Sequence, residues 1–169
     1  MGGTLPQYSV GGQMKLNLGS GARPLEGYVG VDLDPRADVV SDLRHLEVFE
    51  DNSVDEIIAV HVIEHFYLWE AVPLLTEWRR VLVPGGKIIL ECPDLEKAAR
   101  LFLQGEKDQL GMWAFYGKPL LKDPLHCHKW GYTPDSLEGV LTKAGFRGCV
   151  ALPPRFKIER RDMRLEAYK

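Results

Sequence analysis

Two short apolar runs end in residues that suit a nucleoside ligand. The first, Leu16-Asn17-Leu18, runs into Gly19-Ser20-Gly21. A strand that ends in Gly-x-Gly can turn sharply and bring its backbone close to a ligand where any Cβ would collide. The second, Val29-Gly30-Val31, ends at Asp32-Leu33-Asp34, and an acid at the position of Asp32 can accept two hydrogen bonds from ribose hydroxyls. Together they form the parts of an adenosine-cofactor site at the carboxyl edge of an open sheet. Taken alone, the glycine pair also fits a tight turn beside a solvated carboxylate. A dinucleotide fingerprint asks for glycine where Pro24 stands, and only residues 22–28 separate Gly21 from Val29. That is too short for the usual crossover helix, whose N-terminus would hold a pyrophosphate. Both features disfavour a nicotinamide cofactor. S-adenosylmethionine has no phosphate and needs backbone contacts plus carboxylates for ribose and adenine, which these residues supply.

On these motifs the chain resembles the class I S-adenosylmethionine-dependent methyltransferases, in particular a small branch related to the methyltransferase type 11 group. Besides LNLGSG and VGVDLD, the segment SDLRHL (41–46) resembles the part whose acid and following residue hold adenine. NSVDEIIAVHVIEH (52–65) is similar to the fourth strand with its trailing Glu-His, and RVLVPGGKIIL (80–90) to the passage from helix to fifth strand. The likeness spans about residues 14–148. It implies cofactor contacts at Gly19, Gly21, Asp32, Asp42 and Leu43, with Asn17, Ser20, Leu33 and His61 beside them. It also implies a Rossmann-like sheet of seven strands, mostly parallel, with the last strand antiparallel between the fifth and sixth. Two positions depart from the pattern. Asn17 stands where the family often has an acid, and Arg23 where it has a third glycine followed by a helix. Asn17 could accept a hydrogen bond from the cofactor's ammonium, and Arg23 could pair with its carboxylate.

Methyl transfer is an in-line displacement at a carbon already activated by the sulfonium. An enzyme must align donor and nucleophile and, for a hydroxyl or ammonium acceptor, remove a proton. The candidates for acceptor binding and proton removal are His61, His126 and His128. His61 follows the fourth strand at the carboxyl edge; its bland alternative is a packed loop histidine. His126 and His128 flank Cys127 in DPLHCHKWGYT (123–133) and would share one side of an extended segment. A metal site there lacks a nearby third ligand, so none is expected. Glu64 reads as a helix-capping acid, and Asp55 as a structural acid bonded to loop backbone. Asp42 fits either adenine contact or a turn cap. The aromatic stretch 111–120 reads as a lid or as core.

The elements that must position these residues alternate strand and helix, an α/β pattern with a mostly parallel sheet. Strands are predicted at 14–18, 28–33, 38–40, 54–60, 87–92, 146–152 and 161–168. Residues 70–82 place Val72, Leu75, Trp78 and Leu82 at helical spacing, with Pro73 in the first turn. A second helix follows Asp94 as N-cap, and a third opens on Thr133 with Pro134 at its first position. The first crossover helix is shortened or missing, which leaves one flank of the sheet exposed or covered by the leader or a partner, and leaves room for a homodimer.

At 169 residues, with 21 basic against 24 acidic side chains and a net charge of −3, the chain reads as a flexible leader (1–13) and a single methyltransferase-like domain (14–169). The near balance of charge argues against nucleic acid or an anionic membrane as partner. Only the tail, with Arg155, Lys157, Arg160, Arg161 and Arg164, is basic, and a solvated face is its expected role. Three cysteines fit reduced thiols. No secretory or lipidation signal and no run near the ~20 apolar residues of a membrane span is present, so a cytoplasmic protein is expected. The combined reading is an S-adenosylmethionine-dependent methyltransferase that modifies oxygen or nitrogen of a small-molecule or saccharide acceptor. The alternative is a non-catalytic module that binds S-adenosylmethionine or S-adenosylhomocysteine and acts with a partner.

Overall fold

The structure, a computed structural model, describes residues 12–108, 110–118 and 122–169. The leader expectation therefore falls mostly outside the described residues. Seven strands form one sheet: β1 (Lys15–Leu18), β2 (Val29–Asp32), β3 (Val39–Val40), β4 (Val54–Val60), β5 (Leu82–Pro93), β6 (Arg147–Leu152) and β7 (Asp162–Tyr168). Their order is β3-β2-β1-β4-β5-β7-β6. Strands β1 to β5 pair in parallel, and β7 lies antiparallel between β5 and β6. The order reverses direction at β1, so the carboxyl ends of β1, β2 and β4 open a crevice where ligands bind in such sheets.

Among the described residues four α-helices follow later in the chain: α1 (Leu68–Val81), α2 (Leu95–Leu103), α3 (Met112–Tyr116) and α4 (Pro134–Lys143). The α1 helix starts earlier than its apolar spacing suggests, because Tyr67 caps it and the Glu70 carboxylate accepts the Tyr67 amide at 2.9 Å. Pro73 consequently sits in the second turn and removes one helical hydrogen bond; Trp69, whose carbonyl loses that partner, is 73% exposed, so water can replace it. Asp94 accepts the amides of Glu96 (2.9 Å) and Lys97 (3.3 Å) at the start of α2. Thr133 and Ser136 cap α4 reciprocally. None of the described helices is long and apolar enough to cross a membrane.

The core is one-sided. Leu16, Leu18, Val29, Val31, Ile57, Ala59, Ile88 and Leu90 point to the face covered by α1 and α4, where they pack with Leu74, Trp78, Leu137 and Leu141. No described helix joins β1 to β2, β2 to β3 or β3 to β4, and the opposite face is correspondingly polar. Lys15, Glu56, Lys87 and Glu166 form a row of ion pairs across it, with Tyr28 donating to Glu56. The basic tail corrects an expectation here. Arg161 and Arg164 are buried, paired with Asp162 and with Glu91 and Glu166, while the amides of Arg155 and Phe156 cap the buried Glu91 carboxylate at 2.8 and 2.9 Å. A buried carboxylate demands such partners, so Arg161 and Arg164 are drawn into the sheet, while Arg155, Lys157 and Arg160 are exposed as expected.

Candidate functional site

A cleft of about 1110 Å³ lies across the carboxyl ends of β1, β2 and β4. Asn17, Gly19, Ser20, Gly21, Asp32, Leu33, Asp42, Leu43, His61 and His126 all line it. Gly19 has φ +71°, and a Cβ there would lie 2.3 Å from Val62 Cγ2, so the turn can pass under β4 only as glycine. The Asp32 carboxylate fixes the loop: Oδ2 accepts the Gly21 amide at 2.7 Å and Oδ1 the Asp34 amide at 2.9 Å. Leu33 is 52% exposed and presents an apolar surface on the cleft wall, with Leu43 buried. Asp42 combines both of its readings. Its Oδ1 accepts the Arg44 amide at 2.9 Å, as a turn cap does, while the side chain still borders the cleft. Asp55 lies at the opposite edge and accepts the Met14 amide at 2.8 Å.

Cations gather at the rim, a feature sequence order hides because Arg23, Lys118 and Lys157 come from distant segments. Burial, then repulsion from Arg23 and Lys118, pushes the Lys157 ammonium below the usual lysine range. An anionic group in the cleft would relieve that repulsion.

His61 stands at the end of β4 with φ +58°, a conformation uncommon outside glycine. Its Nδ1 lies 3.1 Å from Glu64 Oε1 and its Nε2 3.0 Å from Asp162 Oδ2. Burial works against charge on this ring, but the two carboxylates outweigh it and raise the pKa to about 9. Both nitrogens are thus engaged, which leaves His61 no lone pair with which to remove a proton in this arrangement. Asp162, which no motif singled out, also accepts the Ile158 amide at 3.0 Å and pairs with Arg161.

The loop histidines are not side by side. Pro124–His126 forms a 3₁₀ turn, initiated by Asp123 accepting the Leu125 amide, instead of an extended segment. The turn sends His126 outward, its side chain 52% exposed at the cleft, and His128 inward, 7% exposed and outside the cleft lining. His128 Nδ1 meets the Ala114 carbonyl at 2.8 Å, so α3 helps to hold the ring. Glu64 likewise departs from the capping role: it lies in a 3₁₀ turn, Ile63–His65, ahead of α1, and is 1% exposed. The 111–120 stretch is described only to Lys118; there α3 packs near α2, with Tyr116 exposed and Ala114 buried.

The fold defined by this sheet and cleft is that of the class I S-adenosylmethionine-dependent methyltransferases. Residues 15–90 match the model of a methyltransferase domain family, and this match together with the solved structures below supports S-adenosylmethionine as the cofactor. Among solved structures, a S-adenosylmethionine-dependent methyltransferase from Archaeoglobus fulgidus is similar, at 18% identity and a TM-score of 0.63 over 96% of this chain and 88% of its own. A complex of the Haloferax volcanii Trm112 methyltransferase activator with a methyltransferase matches at 15% identity and 0.62, over 92% and 82%. Phosphoethanolamine N-methyltransferase 2 of Haemonchus contortus, in complex with S-adenosylmethionine, matches at 16% and 0.59, over 94% of this chain and 49% of its own. Among curated proteins, none matches this sequence.

Proposed function

We propose that the protein transfers the methyl group of S-adenosylmethionine to an oxygen or nitrogen of a small-molecule or saccharide acceptor. The observation that carries this reading is one continuous cleft bordered by the Gly19–Gly21 turn, the Asp32 carboxylate, and Asp42 with Leu43. Ribose hydroxyls would be placed at Asp32, and adenine at Asp42 and Leu43. The amino acid end would lie toward Asn17 and Arg23. Since the sulfonium already activates the methyl carbon, alignment of the acceptor supplies most of the catalysis. His126, exposed at the cleft, is the proton acceptor that fits best, whereas His61, held between two carboxylates, serves as a positioning residue. The cations Lys118 and Lys157 exceed what one cofactor carboxylate needs and favour an acceptor that carries an anionic group.

The test is release of S-adenosylhomocysteine during incubation with hydroxyl- and amine-bearing acid and sugar acceptors. Acceptor-dependent release that is lost in Asp32→Ala supports the enzyme. A second reading, a non-catalytic cofactor-binding subunit, draws support from the lack of a described helix between β1 and β2. It predicts cofactor binding without release for every acceptor until a partner protein is added.

A further inference from the structure

The turn after β4 and the loop before α4 bring together three side chains that can each offer a lone pair. The amides of Lys129 and Trp130 both donate to the Glu64 carbonyl, at 2.8 and 3.3 Å, and this backbone clamp sets His128 against the Glu64 side chain. His128 Nε2 lies 3.8 Å from Glu64 Oε1, and the rings of His65 and His128 meet edge to face at 4.9 Å. One ligand atom each from Glu64, His65 and His128 falls within 4.8 Å of the others.

Both histidines are oriented by carbonyls. His65 Nδ1 donates to Cys127 O at 3.2 Å and His128 Nδ1 to Ala114 O at 2.8 Å, which leaves Nε2 as the ligand atom each ring can offer. Carbonyl-anchored imidazoles of this kind are the usual support for a metal ligand. The fully buried Glu64 carboxylate meets charge on one side only: His61 Nδ1 pairs with Oε1 at 3.1 Å, while Oε2 has no hydrogen-bond partner among the described residues. A buried carboxylate oxygen left without a partner is costly, and a cation at the centre of the cluster would satisfy it.

We propose that Glu64, His65 and His128 bind one divalent first-row transition-metal ion. Two imidazoles and one carboxylate suit zinc, cobalt, iron or manganese, whereas magnesium and calcium prefer all-oxygen sets. Three protein ligands leave at least one coordination position open. Because His65 also lines the cleft, an oxygen of a ligand bound there could occupy it. This replaces the expectation of no metal, which took His126 and His128 as the pair and His61 or His65 as too distant a third ligand; the 3₁₀ turn separates the pair, and the fold brings His65 and Glu64 to His128.

The test uses tag-free full-length protein stripped with a chelator, titrated with Co²⁺ and followed by its visible absorption, without any methyl donor. A null result would therefore leave the cofactor reading intact. The expected result is one Co²⁺ per chain, displaced by Zn²⁺ and not by millimolar Mg²⁺. Affinity should fall at least tenfold in His65→Ala and in His128→Ala, and stay unchanged in His45→Ala, whose ring lies elsewhere. Circular dichroism establishes that each variant is folded. If His128→Ala is not folded, His65→Ala and the wild-type spectrum decide. Folded wild type that takes up no stoichiometric ion overturns the proposal, as does affinity that is unchanged in His65→Ala.

Discussion

Asp32 holds the glycine turn by two amide bonds while its outer edge faces the cleft, so its removal acts on the loop and on whatever ligand the cleft holds at once. Hydrogen bonds to a charged group contribute about 1.5–3 kcal/mol each. Asp32→Ala should accordingly weaken S-adenosylmethionine by at least ~100-fold in a binding titration. The cysteines give a prediction of the opposite kind. Burial raises the Cys92 thiol far above its usual range and the Cys149 thiol to about 11. A raised pKa means less thiolate at any lower pH, roughly one part in a thousand for Cys149 at pH 8. Neither should be alkylated by iodoacetamide within an hour at that pH in native protein, as mass spectrometry of digests would show; rapid labelling of Cys92 would contradict its burial. Gly19 and Asp32 were legible because their roles follow from position along one strand. The approach of Glu64 to His128 and of Asp162 to His61 was not, since these partners arrive from distant parts of the chain.

The elements that carry the site are short, and their ends are where side chains decide. Asp94 is 5% exposed and caps α2 directly beyond β5. Asp94→Ala should destabilise the protein by about 1–2 kcal/mol in denaturant unfolding, with an unchanged slope, whereas a loss below ~0.3 kcal/mol would mean that α2 does not depend on this cap. Thr133 and Pro134 were equally readable, because capping chemistry is local. The 3₁₀ turns at 63–65 and 124–126 were not. Each is a single turn with no periodicity to detect, yet together they direct His65 and His128 inward and His126 outward.

In the whole molecule the imbalance between the two faces of the sheet governs stability. Trp78 is fully buried at the centre of the covered face and donates its Nε1–H to Leu43 O at 2.9 Å, tying α1 to the Asp42–Leu43 side of the cleft. Trp78→Ala should cost about 3–5 kcal/mol, read as a lowered unfolding midpoint; a loss under 1 kcal/mol would show that α1 is not the main support of the sheet. The strand count and the thin first half could be read from apolar runs and from the short 22–28 connection, whereas the strand order came only with the family resemblance. The ion-paired open face could not, because Lys15, Glu56, Lys87 and Glu166 become neighbours only through strand register. Most of the architecture serves the crevice where β1, β2 and β4 end. The decisive measurement is calorimetric titration of the intact protein with S-adenosylmethionine, S-adenosylhomocysteine and NAD, on wild type and Asp32→Ala. Saturable binding of both sulfur compounds, none of NAD, and loss in the variant are the predicted results. Folded wild type that binds neither sulfur compound, or binding that Asp32→Ala leaves unchanged, would contradict the assignment of the cleft.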